Sequence, residues 1–197
     1  TGGNILVTGT PVVSAGSGGT IRLMTGAIAG STGLAGLVGV GSGNFRYNSD
    51  EAATNYVTAL ETDAINAIYR EQPSASGTIS SETITYGNTT PSFSLQGGSG
   101  LQNGDGASFT IVGASQSTAG LLNADTYVVS PAGLSDLGYA VGLVTNGELV
   151  VNTKALDISN LAADNRVYDT TQVATLTGTA AITGGGSVAG DGLFVTS

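Results

Sequence analysis

Glycine sets the first limit on this chain. It supplies 32 of the 197 residues, about 16% against an average near ~7%, and it is spread along the whole length. Asp, Glu, Lys and Arg together make only 10%, against roughly 25% in ordinary domains. Runs between glycines are short, so the chain reads as short strands and tight corners. Its length fits one domain or two to three small modules.

Absent residues exclude further classes. Cys, His and Trp are all missing, so there is no disulfide, no thiolate nucleophile, no zinc site of the usual Cys/His kind and no Ser-His-Asp triad. Acid–base work would fall on carboxylates or Tyr. Five basic residues, Arg22, Arg46, Arg70, Lys154 and Arg166, against fourteen acids give a net charge of −9 and a pI near 4.1. Such a chain repels phosphate backbones, which argues against nucleic acid as a partner. Mean hydropathy is +0.22, yet no stretch approaches the ~18 uninterrupted apolar residues of a membrane span, so no membrane insertion is expected. Thr1 begins mid-pattern, without a charged region followed by an apolar one, so any secretion signal is expected to lie outside this chain.

A self-comparison gives one short repeat. Gly2-Gly3-Asn4-Ile5-Leu6-Val7-Thr8-Gly9 aligns with Gly18-Gly19-Thr20-Ile21-Arg22-Leu23-Met24-Thr25-Gly26, sixteen residues on. One face is apolar in both copies and the other tolerates charge, as a half-buried strand requires. A strand and corner recurring at this period suggests rungs of a β-solenoid, with an ordinary hairpin as the alternative. Residues Gly26 to Gly43 are low in side-chain volume and read as a loosely ordered rung or loop. Asn48-Ser49-Asp50-Glu51 then carries a helix N-cap signature, followed by Ala53, Tyr56, Val57 and Leu60 at helical spacing. The pattern predicts a short helix from about Asp50 to Leu60, with 64–70 as helix or strand, covering the open end of the solenoid.

Glu71 to Gly77 is a Pro and small-residue cluster and the clearest expected boundary. Past it the apolar period is two, around Thr78-Ile79, 83–86, Phe93 with Leu95, Phe109 with Ile111, and Tyr127 with Val129. The strongest local signal is 141–151, where Asn146-Gly147 between two β-rich runs predicts a type I′ hairpin. Leu156, Ile158, Val173, Leu176 and Ile182 mark a third patterned stretch, marginal in size on its own.

Asn44-Phe45-Arg46-Tyr47-Asn48-Ser49-Asp50-Glu51, with Ala67-Ile68-Tyr69-Arg70-Glu71-Gln72-Pro73, resembles a junction in large bacterial exoproteins of the filamentous-haemagglutinin type, where a right-handed β-helix is followed by small repeated β modules. Thr85-Tyr86-Gly87-Asn88-Thr89-Thr90-Pro91, Gly100-Leu101-Gln102-Asn103-Gly104-Asp105 and Gly147-Glu148-Leu149-Val150-Val151 look like the MBG module of the YGX type. Arg166-Val167-Tyr168-Asp169-Thr170-Thr171 and 174–180 look like the opening of a YDG module, although the family word Tyr-Asp-Gly-Thr-Thr lacks its Gly here. The resemblance implies secretion through an outer-membrane transporter of the two-partner type and a role in cell adhesion or as an extracellular filament at the bacterial surface or in a biofilm. It implies no catalytic residues.

Each candidate site residue also has a structural role open to it. The acids Asp50-Glu51, Glu61 with Asp63, Asp157 and Asp164 are available for glycoside cleavage, which needs two carboxyls ~5–9.5 Å apart. None forms a strand-alternating pair, and helix starts also favour acids. Asn103-Gly104-Asp105-Gly106 and Gly190-Asp191-Gly192 resemble calcium-loop fragments but lack the full spacing, and read as turns. Gly184-Gly185-Gly186 lacks the Lys-Ser/Thr of a phosphate loop. Lys154, the only lysine, is expected at an exposed position between modules. Tyr47, Tyr56, Tyr69, Tyr86, Tyr127, Tyr139 and Tyr168 could stack on sugars, but their apolar-alternating settings favour core positions with the hydroxyl at the rim.

The expectation is a mainly β chain: 1–72 the end of a right-handed β-helix or solenoid with a short helical cap, 73–153 an MBG-like module of β-sandwich or β-grasp type, and 154–197 a truncated YDG-like module. The expected function is a structural or adhesive segment of a secreted, surface-displayed bacterial protein, without catalysis, cofactor or metal. Expected partners are host-surface or matrix glycans or proteins, or further copies of itself. A carbohydrate-binding adhesin module and a β-helical polysaccharide-degrading enzyme are the alternatives.

Overall fold

The computed structural model describes residues 3–97, 100–170, 172–173, 175–183 and 188–192. The described residues are mainly β, with 34% strand and 5% helix in small sheets and no closed barrel among them. Gly184 to Gly186, Gly2 of the repeat, and Thr171 and Ala174 of the last module's expected opening lie outside the described residues.

In chain order the elements are β1 (Thr20–Thr25), α1 (Leu34–Val38), β2 (Phe45–Arg46), β3 (Ala64–Tyr69), β4 (Ser74–Ile79), β5 (Glu82–Thr85), β6 (Leu95–Gln96) and β7 (Ser108–Val112). They continue with β8 (Asp125–Ala132), α2 (Leu134–Leu137), β9 (Ala140–Thr145), β10 (Gly147–Asn152), β11 (Asp157–Ser159), β12 (Ala162–Ala163), β13 (Leu176–Thr177) and β14 (Ala181–Thr183). The larger sheets run in the orders β1-β3-β2, β6-β4-β9 and β5-β10-β8-β7. The described residues fall into two compact units, neither a continuous stretch of chain: 3–82 with 92–112 and 128–148, and 83–91 with 113–127 and 149 onward.

In the first unit, β3 pairs in parallel with β1 on one side and β2 on the other, Met24 opposite Ile68 and Phe45 opposite Ala67. Alternation sends Leu23, Phe45, Ala67 and Tyr69 into a core with Leu34, Val38, Tyr47, Ala75, Leu134 and Tyr139. Arg22, Met24, Arg46, Asn66 and Ile68 belong to the opposite face by the same registers. The first copy of the sixteen-residue repeat forms no strand. Its Ile5 and Val7 pack on the core as half-buried residues, the Val7 amide donating to the Thr32 carbonyl at 2.9 Å.

Four local expectations are corrected. The span 50–60 is not a helix, because its backbone groups are taken elsewhere: Arg46 draws in the Thr58 and Ala59 carbonyls, and the Asp136 carbonyl accepts the Val57 and Thr58 amides at 2.8 and 3.0 Å. A helix lies instead in the glycine-rich stretch, where Leu34, Leu37 and Val38 share a face and Leu34 and Val38 are buried. Glu71 to Gly77 is no break, since Ser74 onward is strand β4 and Ala75 is fully buried. Asn146-Gly147 is no hairpin turn. Strand β9 pairs in parallel with β4, whereas β10 belongs to another sheet, and neither Asn146 nor Gly147 has a positive φ. Gly147 is there for space: a Cβ would lie 2.5 Å from the Ser80 carbonyl and 2.8 Å from that of Ile79.

The second unit holds an isolated bridge between Gln116 and Leu122, and the Tyr86 amide donates to the Asn152 carbonyl at 2.8 Å. Two nested antiparallel ladders follow, β11 with β14 and β12 with β13, Ile158 opposite Ile182 and Ala163 opposite Leu176.

Candidate functional site

The outward face of the β1-β3-β2 sheet carries the candidate site. Loop 49–61 crosses this face and two buried side chains fasten it. Arg46 is fully buried on β2 and forms no ion pair with a carboxylate among the described residues. Its guanidinium donates to four backbone carbonyls, those of Gly43 (2.7 Å), Phe45 (2.8 Å), Thr58 (2.9 Å) and Ala59. Burial draws its pKa down, and the nearby Tyr56, Asp105 and Glu61 oppose that shift. Asn66, equally buried on β3, donates to the Glu61 carbonyl at 2.9 Å and accepts the Glu61 amide at 3.1 Å. A buried polar group must find partners, and here both find them in the loop's backbone.

Between loop and sheet a cleft of about 240 Å³ remains, lined by Arg22, Met24, Ser49, Asp50, Glu51, Thr54, Tyr56 and Ile68. Met24 and Ile68, adjacent in the parallel register, give it an apolar floor. Tyr56 is half-buried, and the Arg46 guanidinium sits over its ring at 6.0 Å from the centroid. Asp50 accepts the Ala52 and Ala53 amides on one oxygen, each at 2.8 Å, and these bonds hold its carboxyl below the usual range. Glu51 is paired with Arg70, which lowers it likewise. Arg22 is exposed and has no hydrogen-bond or ion-pair partner among the described residues.

The expected pair Asp50-Glu51 therefore lies in a cleft, with both carboxyls biased toward the ionised form. Glu61 and Asp63 are used structurally, Glu61 through its backbone and Asp63 by accepting the Gly18 amide. Asp157 and Asp164 lie on the ladders of the second unit and join no acidic cluster. Among the described residues no group of three or more His, Cys, Asp or Glu could hold a metal ion.

Both calcium-loop fragments are tied by tyrosine hydroxyls. In the first unit Tyr47 and Tyr139 each donate to one oxygen of Asp105, at 2.6 and 2.7 Å, and the Asn103 side-chain amide donates to the Tyr47 hydroxyl at 3.0 Å. Tyr47 stacks on Tyr69 with centroids 5.6 Å apart and meets Tyr139 edge-on at 4.7 Å. Burial, reinforced for Tyr47 by the Asp105 hydrogen bond, pushes both phenols well above their ordinary value. The other Asp105 oxygen is buried without a hydrogen-bond partner among the described residues. In the second unit the Tyr86 hydroxyl contacts both Asp191 oxygens, at 2.7 and 2.6 Å, and Ser117 at 2.8 Å. These pairings were invisible in sequence because each joins residues more than twenty positions apart.

Tyr47, Tyr69, Tyr127 and Tyr139 are buried as expected, whereas Tyr168 is 85% exposed. Lys154, expected in the open, is half-buried beside Tyr86, Leu156, Val188 and Asp191. No helix among the described residues is long and apolar enough to cross a membrane. No family model, curated protein or solved structure matches this chain.

Proposed function

We propose that this chain is a structural and adhesive segment of a large secreted bacterial surface protein, working by display and contact and not by catalysis. Its β1-β3-β2 sheet is read as the end of a right-handed β-helix, and the later strands as small β modules of sandwich or β-grasp type. Parallel pairing of β1 and β2 on β3 supports the first part of that reading, although their order differs from the chain-order stacking of successive rungs. The resemblance carried by residues 85–91, 100–105 and 147–151 supports the second.

One observation carries the non-catalytic part. The only two acids lining the cleft, Asp50 and Glu51, have their carboxyls lowered by fixed partners, Asp50 by two backbone amides and Glu51 by Arg70. Glycoside hydrolysis needs one carboxylic acid kept protonated near neutrality, which requires the opposite shift. Two measurements test the proposal. Incubation with neutral and acidic polysaccharides should release no reducing ends, and catalytic release would overturn the non-catalytic reading. Electron microscopy of the secreted parent protein should show an extended filament, and a compact particle would overturn the structural one.

A further inference from the structure

We propose that the cleft over the β1-β3-β2 sheet is a receptor for one neutral sugar residue of an oligosaccharide, held against Tyr56 between Arg22 and Asp50. This rests on the non-catalytic reading above and gives it a ligand class.

Five features of the cleft converge on that chemistry. Half-buried Met24 on the floor and the half-buried Tyr56 ring offer apolar surface suited to the C–H faces of a pyranose. Tyr56 is braced by Arg46, whose guanidinium sits 6.0 Å from the ring centroid with its donors fixed on four backbone carbonyls. The wall residue is thus held in place before any ligand arrives, which lowers the ordering cost of binding.

Hydrogen-bonding capacity is complementary at the two ends. Arg22 presents donors with no partner among the described residues, and the Asp50 oxygen not used by the Ala52 and Ala53 amides is an acceptor still free. Sugar hydroxyls both donate and accept, so one ring satisfies both. The charges of the lining cancel: Glu51 is neutralised by Arg70, and Arg22 offsets Asp50. A polyanion would meet Asp50, Glu51 and a chain of net charge −9, and a polycation would meet two guanidinia. At about 240 Å³ the space lies below the ~300–1,000 Å³ of pockets for drug-sized ligands, which suits a single ring with its neighbours in solvent.

The test uses the whole chain and a panel of neutral disaccharides (lactose, cellobiose, maltose and mannobiose), with saturation-transfer NMR for detection and titration for affinity. At least one should show transfer, weakened about tenfold or more in Tyr56→Ala and in Arg22→Ala, as expected for loss of an aromatic contact or a charged donor. Tyr56→Phe should bind within about threefold of wild type, since the ring is what stacks. Val57→Ser, on the same loop at an 81% exposed position outside the cleft, controls for loop disturbance and should change nothing. Circular dichroism melts establish that each variant is folded. No transfer from any disaccharide would overturn the proposal, and so would affinities equal in wild type, Tyr56→Ala and Arg22→Ala. Exclusive binding of acidic polysaccharides, abolished by salt, would overturn it as well. Release of reducing ends from a bound disaccharide would sink the non-catalytic reading and leave this binding site standing, so the two fail separately.

Discussion

Strand β3 and the small ladders β11 to β14 are written in the same small and β-branched residues, yet they are used in opposite ways. Four of the six residues of β3 are buried, whereas β11, β12 and β13 contain none that are. Ile158, Leu161, Val167, Tyr168, Val173 and Leu176 are all between 44% and 89% exposed. The difference comes from pairing. Strand β3 has a neighbour on each edge, Tyr69 in the core on one face and the fastened loop 49–61 over the other, so its apolar residues leave water. The ladders 157–183 are two strands wide, and a two-stranded ribbon is marginal in water whatever its propensity. Burial here follows from what covers a strand more than from what the strand is made of.

The heaviest blow to that contrast should come from Arg46. Removing the side chain leaves the Gly43, Phe45, Thr58 and Ala59 carbonyls without their charged donor, so Arg46→Ala should destabilise the chain by about 3–5 kcal/mol. Arg46→Lys should recover only part of this, because one ammonium has three donors and no planar fork. Urea titration followed by circular dichroism reads both. A wild-type midpoint in Arg46→Ala would mean that the loop is not fastened as described and that β3 is covered by something else.

Next in size is Gly147→Val. The Val Cβ would have to displace the Ile79 and Ser80 carbonyls, and overpacking of this kind costs about 1–3 kcal/mol. Gly147→Asn separates the two explanations for this glycine. A space requirement penalises any Cβ, Asn's included, whereas a turn needing positive φ would tolerate Asn in its place. An unaltered melt for Gly147→Asn would return the segment to the hairpin expected from Asn146-Gly147.

These residues also show how much was legible in sequence. The mainly β character, the strands around 78–79, 83–86, 109–111 and 127–129, and the burial of four tyrosines all follow from period-two patterning, which is local. Asp50 and Glu51 could be named as candidates, because carboxylates are visible. Their fate could not, since it depends on amides at 52 and 53 and on Arg70. The false helix at 50–60 and the false hairpin at 146–147 fail for one shared reason. Each local signal was sound, and each lost to tertiary hydrogen bonds: Arg46 and Asp136 took the loop's backbone, and β4 took β9 as its parallel neighbour. Tyr56 had the right side chain for a sugar platform, but only the sheet register puts Met24 and Ile68 beneath it.

A smaller effect, and one that tests the covered unit alone, is alkaline sensitivity. Tyr47 and Tyr139 have folded-state pKa values raised above the unfolded value of about 10. The folded protein therefore keeps these protons where the unfolded chain loses them, and ∂ΔG/∂pH is negative. This contribution is fully present below pH ~10 and should fade as pH rises above it. The midpoint in urea should fall between pH ~10 and ~11 in wild type, and fall less steeply in Tyr139→Phe, which removes one of the two phenols. Equal slopes would show that these hydroxyls are not protected by burial.

The smallest effect should come from the tip of the ladders, and smallness is what the contrast demands. Val167 is 89% exposed and Tyr168 85% exposed, so converting both to Ser removes apolar surface that folding never took from water. Substitutions at such positions stay within about ±0.5 kcal/mol. Arg166 and Asp169 flank the pair and form an ion pair at 3.0 Å, which is left in place, so the change addresses apolar exposure alone. Amide exchange supplies the second readout. Residues 64–69, hydrogen-bonded to strands on both sides, should exchange slowly, while 157–163 should exchange near the rate of open chain because marginal ladders open without global unfolding. A loss of 2 kcal/mol or more in Val167→Ser/Tyr168→Ser, set against the ±0.5 kcal/mol expected, or slow exchange across 157–163, would mean that this apolar face is covered in solution. The opposition between a covered parallel sheet and open ladders would then be wrong.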